Sequence, residues 1–149
     1  MSFALKKYGS GFTLIEILVA IVLLGIGIAA IVGSNAAFTQ QSAQAGQLST
    51  AEFLIEQIRE LTALMPANDP NQASIYSFDG DTFNPAIDSQ QRPLANFSAY
   101  SQVVTVDYVS ATNFQQIVAD NSSDFVGITV KILYNGSEIS QAKWIRCVE

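Results

Sequence analysis

From Phe12 to Val32 the chain carries a single charged residue, Glu16, in an otherwise apolar run. As an α-helix these residues would extend roughly 30 Å, about the hydrocarbon thickness of a bilayer. In hydrocarbon a single segment satisfies its backbone polar groups only as a helix, so the run constrains conformation as well as location. The carboxylate of Glu16 is costly to bury there unless a specific partner balances it. Nothing in the segment carries the opposite charge, so that partner is sought outside it. Lys6 and Lys7 precede the run, and no basic residue follows Val32 until Arg59. This asymmetry places the N-terminus in the cytoplasm and the remainder of the chain outside.

With 149 residues, the length allows one membrane-spanning helix and one small domain. Hydrophobic residues make up 49% and charged residues 13%, the latter well below the soluble average of roughly 25%, and the bias lies largely before Val32. The formal charge is −6. Apart from Lys6 and Lys7, the basic residues Arg59, Arg92, Lys131, Lys143 and Arg146 are scattered, which argues against a phosphate-binding surface and hence against nucleic acid. The chain contains no histidine, which removes His-based acid–base chemistry and the commonest zinc sets. Cys147 is the single cysteine, so no intrachain disulfide can form.

Three leaders are compatible with the front end on its residues alone. An ordinary signal peptide would use the small-x-small site Ser34-Asn35-Ala36, and an uncleaved single-pass anchor would keep the whole run. Both leave Glu16 without a role. The third reading rests on Lys6-Lys7-Tyr8-Gly9-Ser10-Gly11-Phe12-Thr13-Leu14-Ile15-Glu16, which closely resembles the N-terminus of type IV prepilins and type II secretion pseudopilins. The basic leader, the glycine at its end, the aromatic first mature residue, the apolar triplet and the glutamate coincide in order. The resemblance covers about the first quarter of the chain.

That resemblance implies a leader, residues 1–11, cleaved by a prepilin peptidase between Gly11 and Phe12. It further implies methylation of the new α-amino group, making Phe12 an N-methylphenylalanine. Glu16 would then pair with the Phe12 amine of a neighbouring subunit, so that two charges costly alone in hydrocarbon neutralise each other on assembly. The implied partners are other pilin or pseudopilin subunits, the prepilin peptidase/N-methyltransferase and an inner-membrane assembly platform. The implied location is the bacterial inner membrane, then a pilus or a periplasmic pseudopilus.

Beyond the run, residues 12–33 are expected as the transmembrane and filament-core helix, softened at Gly33-Ser34-Asn35. Residues 34–65 are expected as its amphipathic continuation, with Leu48, Ala51, Leu54, Ile55, Ile58, Leu61 and Met65 forming the buried stripe and Pro66 ending it. Residues 66–149 form the β-sheet head, loop-rich over 66–99. Within that stretch Ile75–Phe78, Asp79-Gly80 and Asp81–Phe83 suggest a short hairpin. Three strands follow: one through Val104, Val106 and Tyr108, one through Ile128 to Tyr134, and one from Ile139 to Ile145, the last two joined at Asn135-Gly136. The fold class is therefore α+β, and the resemblance gives it the pilin-like lollipop form, a long N-terminal helix packed on a small antiparallel sheet.

Asp79, Asp81 and Asp88 raise the question of calcium, a cation that prefers oxygen ligands. Their spacing does not fit an EF-hand loop, and Asp-Gly-Asp reads as turn chemistry, so no cofactor and no metal are expected. Enzyme chemistry would have to rest on serines with Lys131 or Lys143, with no supporting motif, so no catalytic residue is expected. The function expected is a minor pilin or pseudopilin, a filament subunit with no active site. The alternatives are an exported, membrane-anchored binding domain and a secreted protein behind an ordinary signal peptide.

Overall fold

The computed structural model describes residues 11–66 and 73–147. Their contacts divide the chain into two units, Met1–Ala43 and Gln44–Glu149, and one helix, α1 (Leu14–Ala63), contributes to both.

In the first unit α1 is exposed on every side. A window of α1 is long and apolar enough to cross a membrane, and none of it is buried within the chain's own structure. The core helix of a soluble protein would instead be largely covered. The backbone stays helical through Gly33-Ser34-Asn35, so the softening expected there is absent. The Thr39 hydroxyl donates to the Asn35 carbonyl at 2.9 Å, the back-bond that threonine makes within a helix.

In the second unit the last turns of α1 bury Ala51, Leu54, Ile55, Ile58, Leu61 and Thr62, the spacing of three and four that places them on one face. Leu48, expected in this stripe, is 48% exposed, and Met65 is partly buried just beyond the helix end. Five antiparallel strands follow: β1 (Thr82–Phe83), β2 (Tyr100–Ser110), β3 (Asn113–Ile117), β4 (Phe125–Tyr134) and β5 (Ser137–Cys147). Their order is β1-β2-β4-β5, with β3 also paired to β2. The register aligns Val104 with Val130 and Val130 with Ala142. Alternation therefore turns Val104, Val106 and Tyr108 inward from β2, and Val126, Ile128, Val130 and Ile132 inward from β4. Asn135 and Gly136 join β4 to β5 with φ of 49° and 82°, the paired left-handed conformations of a type I′ hairpin turn. The pairing passes from Ile132↔Ser140 to Leu133↔Glu138, so Ile139 is the extra residue of a bulge.

Two expectations about strands are corrected. Residues Ile75–Phe78 form a 3-10 helix, not the first arm of a hairpin, and β1 pairs with β2 instead. Both Ile75 and Phe78 are buried; three residues apart, they share one side of a 3-10 turn, whereas strand alternation would put them on opposite faces. The sheet has five strands and not three. The additional strands carry weak signals, because β1 has two residues and all five residues of β3 are exposed.

The loop-rich stretch is also more than a connection. Ile75, Phe78, Ala86 and Ile87 join α1 and the sheet in one hydrophobic cluster. Gln102 ties these parts together from within. Its side-chain oxygen accepts the Ile87 N–H at 2.7 Å, and its amide group donates to the carbonyls of Leu54 at 3.0 Å and Ile87 at 3.2 Å.

Candidate functional site at the N-terminal end of the helix

Gly11 and Phe12 lie in irregular backbone ahead of α1, and both are exposed. A peptide bond in exposed, non-helical chain is the kind a peptidase can reach without unfolding anything. Lys6 and Lys7, and with them the leader before Gly11, lie outside the described residues.

Thr13 caps the helix. The Glu16 N–H donates to the Thr13 hydroxyl oxygen at 3.3 Å, and the Thr13 N–H donates back to the Glu16 carboxylate at 3.0 Å. The Thr13 hydroxyl also donates to that carboxylate at 3.0 Å. This reciprocal arrangement is a capping box, satisfying backbone donors that a helix start otherwise leaves open. The expectation that the partner of Glu16 must come from outside its segment is thereby corrected: a local partner exists, polar and not cationic. The pattern Thr13-x-x-Glu16 before an apolar run was the signal for it. The negative charge also sits in the first turn, where the helix dipole favours it.

Around Glu16 the helix surface is apolar and shallow. One groove is lined by Phe12, Ile17, Ala20, Ile21 and Leu24 beside the carboxylate, and a second by Ile15, Val19, Ala20 and Leu23. Ala20 borders both, and its small side chain keeps the surface low enough for close approach of another helix. The structure therefore brings Phe12 and Glu16 to one face of the helix end.

The acidic residues considered for calcium serve the backbone. Asp79 Oδ1 accepts the Val106 N–H at 2.8 Å. Asp88 Oδ1 accepts the N–H groups of Gln90 and Arg92 at 2.9 and 2.8 Å, and Oδ2 accepts Arg92 Nε at 2.8 Å. The Arg92 N–H, foremost among these donors, holds the Asp88 carboxyl below the usual carboxylate range against the opposing effect of burial. Among the described residues no three acidic or thiol groups lie close enough together to hold a metal ion. Lys131 is paired with Glu138 at 3.4 Å, and Lys143 lies with its stem against Gly127. Cys147 is a free, exposed thiol at the end of β5. Trp144 is partly buried, with the Arg59 guanidinium 5.1 Å from its ring centre.

Residues 6–32 match the family model for the prokaryotic N-terminal methylation motif, which is the type IV prepilin-type motif. No curated protein and no solved structure matches the chain.

Proposed function

We propose that this chain is a minor type IV pilin or type II secretion pseudopilin, a structural subunit with no catalytic role. On this reading it is cleaved by a prepilin peptidase after Gly11, methylated at the Phe12 amine and assembled with other such subunits through α1. It resides in the bacterial inner membrane, head outward, before assembly into a pilus or pseudopilus. The match of residues 6–32 to the methylation motif carries the reading. The exposed apolar surface of α1 supports it, because a helix covered by nothing in its own chain calls for lipid or other helices around it. The absence of a disulfide-closed C-terminal loop, required by the single cysteine, favours a minor subunit.

The capping box changes what Glu16 contributes to this argument. Its carboxylate already serves the helix start within one chain, so its presence alone does not demand a neighbour. A neighbour's Phe12 amine must share the carboxylate with Thr13 or displace it, and that amine supplies the positive charge that Thr13 lacks. Glutamine at the same position keeps the capping box, which accepts Glu or Gln, and removes the charge.

The test compares Glu16→Leu and Glu16→Gln with the parent. In both variants mass spectrometry should still find a mature chain beginning at Phe12. Neither should co-purify with sheared filaments at the parent's level. Parent-level entry of Glu16→Gln would reduce the carboxylate to a helix cap, and parent-level entry of Glu16→Leu would remove it from assembly altogether. A mature N-terminus near Ala37 would indicate an ordinary signal peptide, and one at Met1 or Ser2 an uncleaved anchor; either overturns the reading as a whole.

A further inference from the structure

The two edges of the sheet differ in how their backbone groups are covered. On β2, Val104 accepts the Gly80 N–H at 3.0 Å and donates its own N–H to the Asp81 carbonyl at 2.9 Å. The Val106 N–H goes to the Asp79 carboxylate, and the Tyr108 carbonyl accepts the Val118 N–H at 2.9 Å. β1 and β3 pair with the same strand on either side of these contacts. Even-numbered residues of β2 thus turn their N–H and C=O groups away from β4, and Val103, Thr105 and Asp107 turn theirs toward it.

Alternation across antiparallel pairs extends this pattern through the sheet. On β4 the even-numbered residues turn toward β5, where their partners are Ser140, Ala142, Trp144 and Arg146. Gln141, Lys143 and Ile145 therefore direct their N–H and C=O groups away from the sheet. Among the described residues nothing is hydrogen-bonded to those groups. The stretch contains no proline, and its bulge lies at one end, so the usual devices that blunt an edge strand leave 141–145 open.

We propose that this edge receives an extended strand from a different protein chain, added antiparallel along Gln141–Ile145. Main-chain hydrogen bonds supply the attraction, and alternate side chains supply the choice of partner. On the sheet face away from α1, Ile145, Lys143, Gln141 and, across the bulge, Glu138 follow one another. Lys143 has no ion pair among the described residues. The complementary strand presents an apolar, an acidic, a polar and a basic residue in turn from its N-terminus, each separated by one residue.

A second copy carries a similar order in its own β5, yet its geometry is unsuitable. α1 follows β5 in the same direction: Gln44, Gln47 and Leu48 border Ile139, Ser140 donates to Glu52 at 3.4 Å, Arg59 lies over Trp144, and Arg146 reaches Thr62. Two-fold pairing of β5 with β5 sets the chain's entry at Gln44 at opposite ends of the joined sheet. Two chains entering one membrane by their N-terminal runs cannot meet in this way. This choice of occupant rests on the membrane-anchored reading; the open edge does not.

The test uses the full chain in detergent micelles and a blocked peptide with the order valine, threonine, glutamate, threonine, glutamine, threonine, lysine. Amide exchange of Gln141, Lys143 and Ile145 should slow by roughly tenfold in a saturable way as the edge groups become protected. Lys143→Glu should weaken the peptide by up to about fivefold, the scale of a cross-strand charge pair, and a peptide with lysine in place of its glutamate should restore binding to that variant. No slowing at millimolar peptide, or equal binding of both peptides to the parent, overturns the proposal. Protection of the same amides without peptide, rising with protein concentration alongside a doubling of mass, also overturns it by making a second copy the occupant.

Discussion

At Gln102 a fully buried amide meets three backbone groups from two distant parts of the chain. Gln102→Leu keeps a comparable volume and leaves the buried Ile87 N–H without its acceptor. The expected loss is about 1–3 kcal/mol, the cost of one such unsatisfied group, read as a lower midpoint in chemical denaturation. A larger loss is not expected, because the Leu54 carbonyl lies within α1, where helical geometry supplies another donor. Neither Gln102 nor Thr13 was evident as a structural residue in the sequence reading, for different reasons. Gln102 precedes the alternating strand and looks like an ordinary solvent-facing position, since nothing local shows that the 84–94 loop folds over it. Thr13 carried a local signal, which was overshadowed by the charge of Glu16.

At the level of elements, the end of α1 depends on a strand distant in sequence. Pro66 stops the helix, and no basic residue lies in its last turn, so its final carbonyls need donors from elsewhere. Arg146 on β5 supplies them, reaching the carbonyls of Thr62 and Met65. Arg146→Met preserves much of the side chain's length and removes the donors. The expected destabilisation is about 1.5–3 kcal/mol, the range for hydrogen bonds to charged groups. Amide exchange should accelerate first in residues 60–65, and uniform acceleration across the head would show that Arg146 does not specifically hold the helix end. The helix itself, β2, β4, β5 and the Asn135-Gly136 turn were legible because period and turn chemistry repeat over many residues. The 3-10 helix at Ile75–Phe78 was not, because four residues are too few to separate a spacing of three from strand alternation. β3 was hidden for another reason: with all its residues exposed, it has no apolar face to set a period.

For the molecule as a whole, two side chains in the head set limits to its pH range from opposite sides. The folded state holds the Asp88 carboxyl below its ordinary value of 3.8, so its contribution is present above that value and disappears as pH falls through the lower, folded one. Asp88→Asn should flatten the acid limb of a plot of thermal midpoint against pH. Tyr76 is pushed up from 10 to about 12, first by its hydrogen bond to Asp120 and then by burial. Its contribution is complete below pH 10 and is lost as pH rises toward 12. Tyr76→Phe should therefore be less stable at neutral pH and lose less between pH 10 and 12; an unchanged alkaline slope would count against the hydrogen bond to Asp120. The sheet sets a limit of another kind. With β2 covered along its outer side and β5 open, each head has a functionality of one in the polymer chemist's sense. A unit with one reactive end can join a neighbour but cannot extend a chain, because every junction consumes the only site present. Heads crowded together can therefore form strand-to-strand pairs but not a continuous sheet, and any longer order among these molecules has to be built through α1.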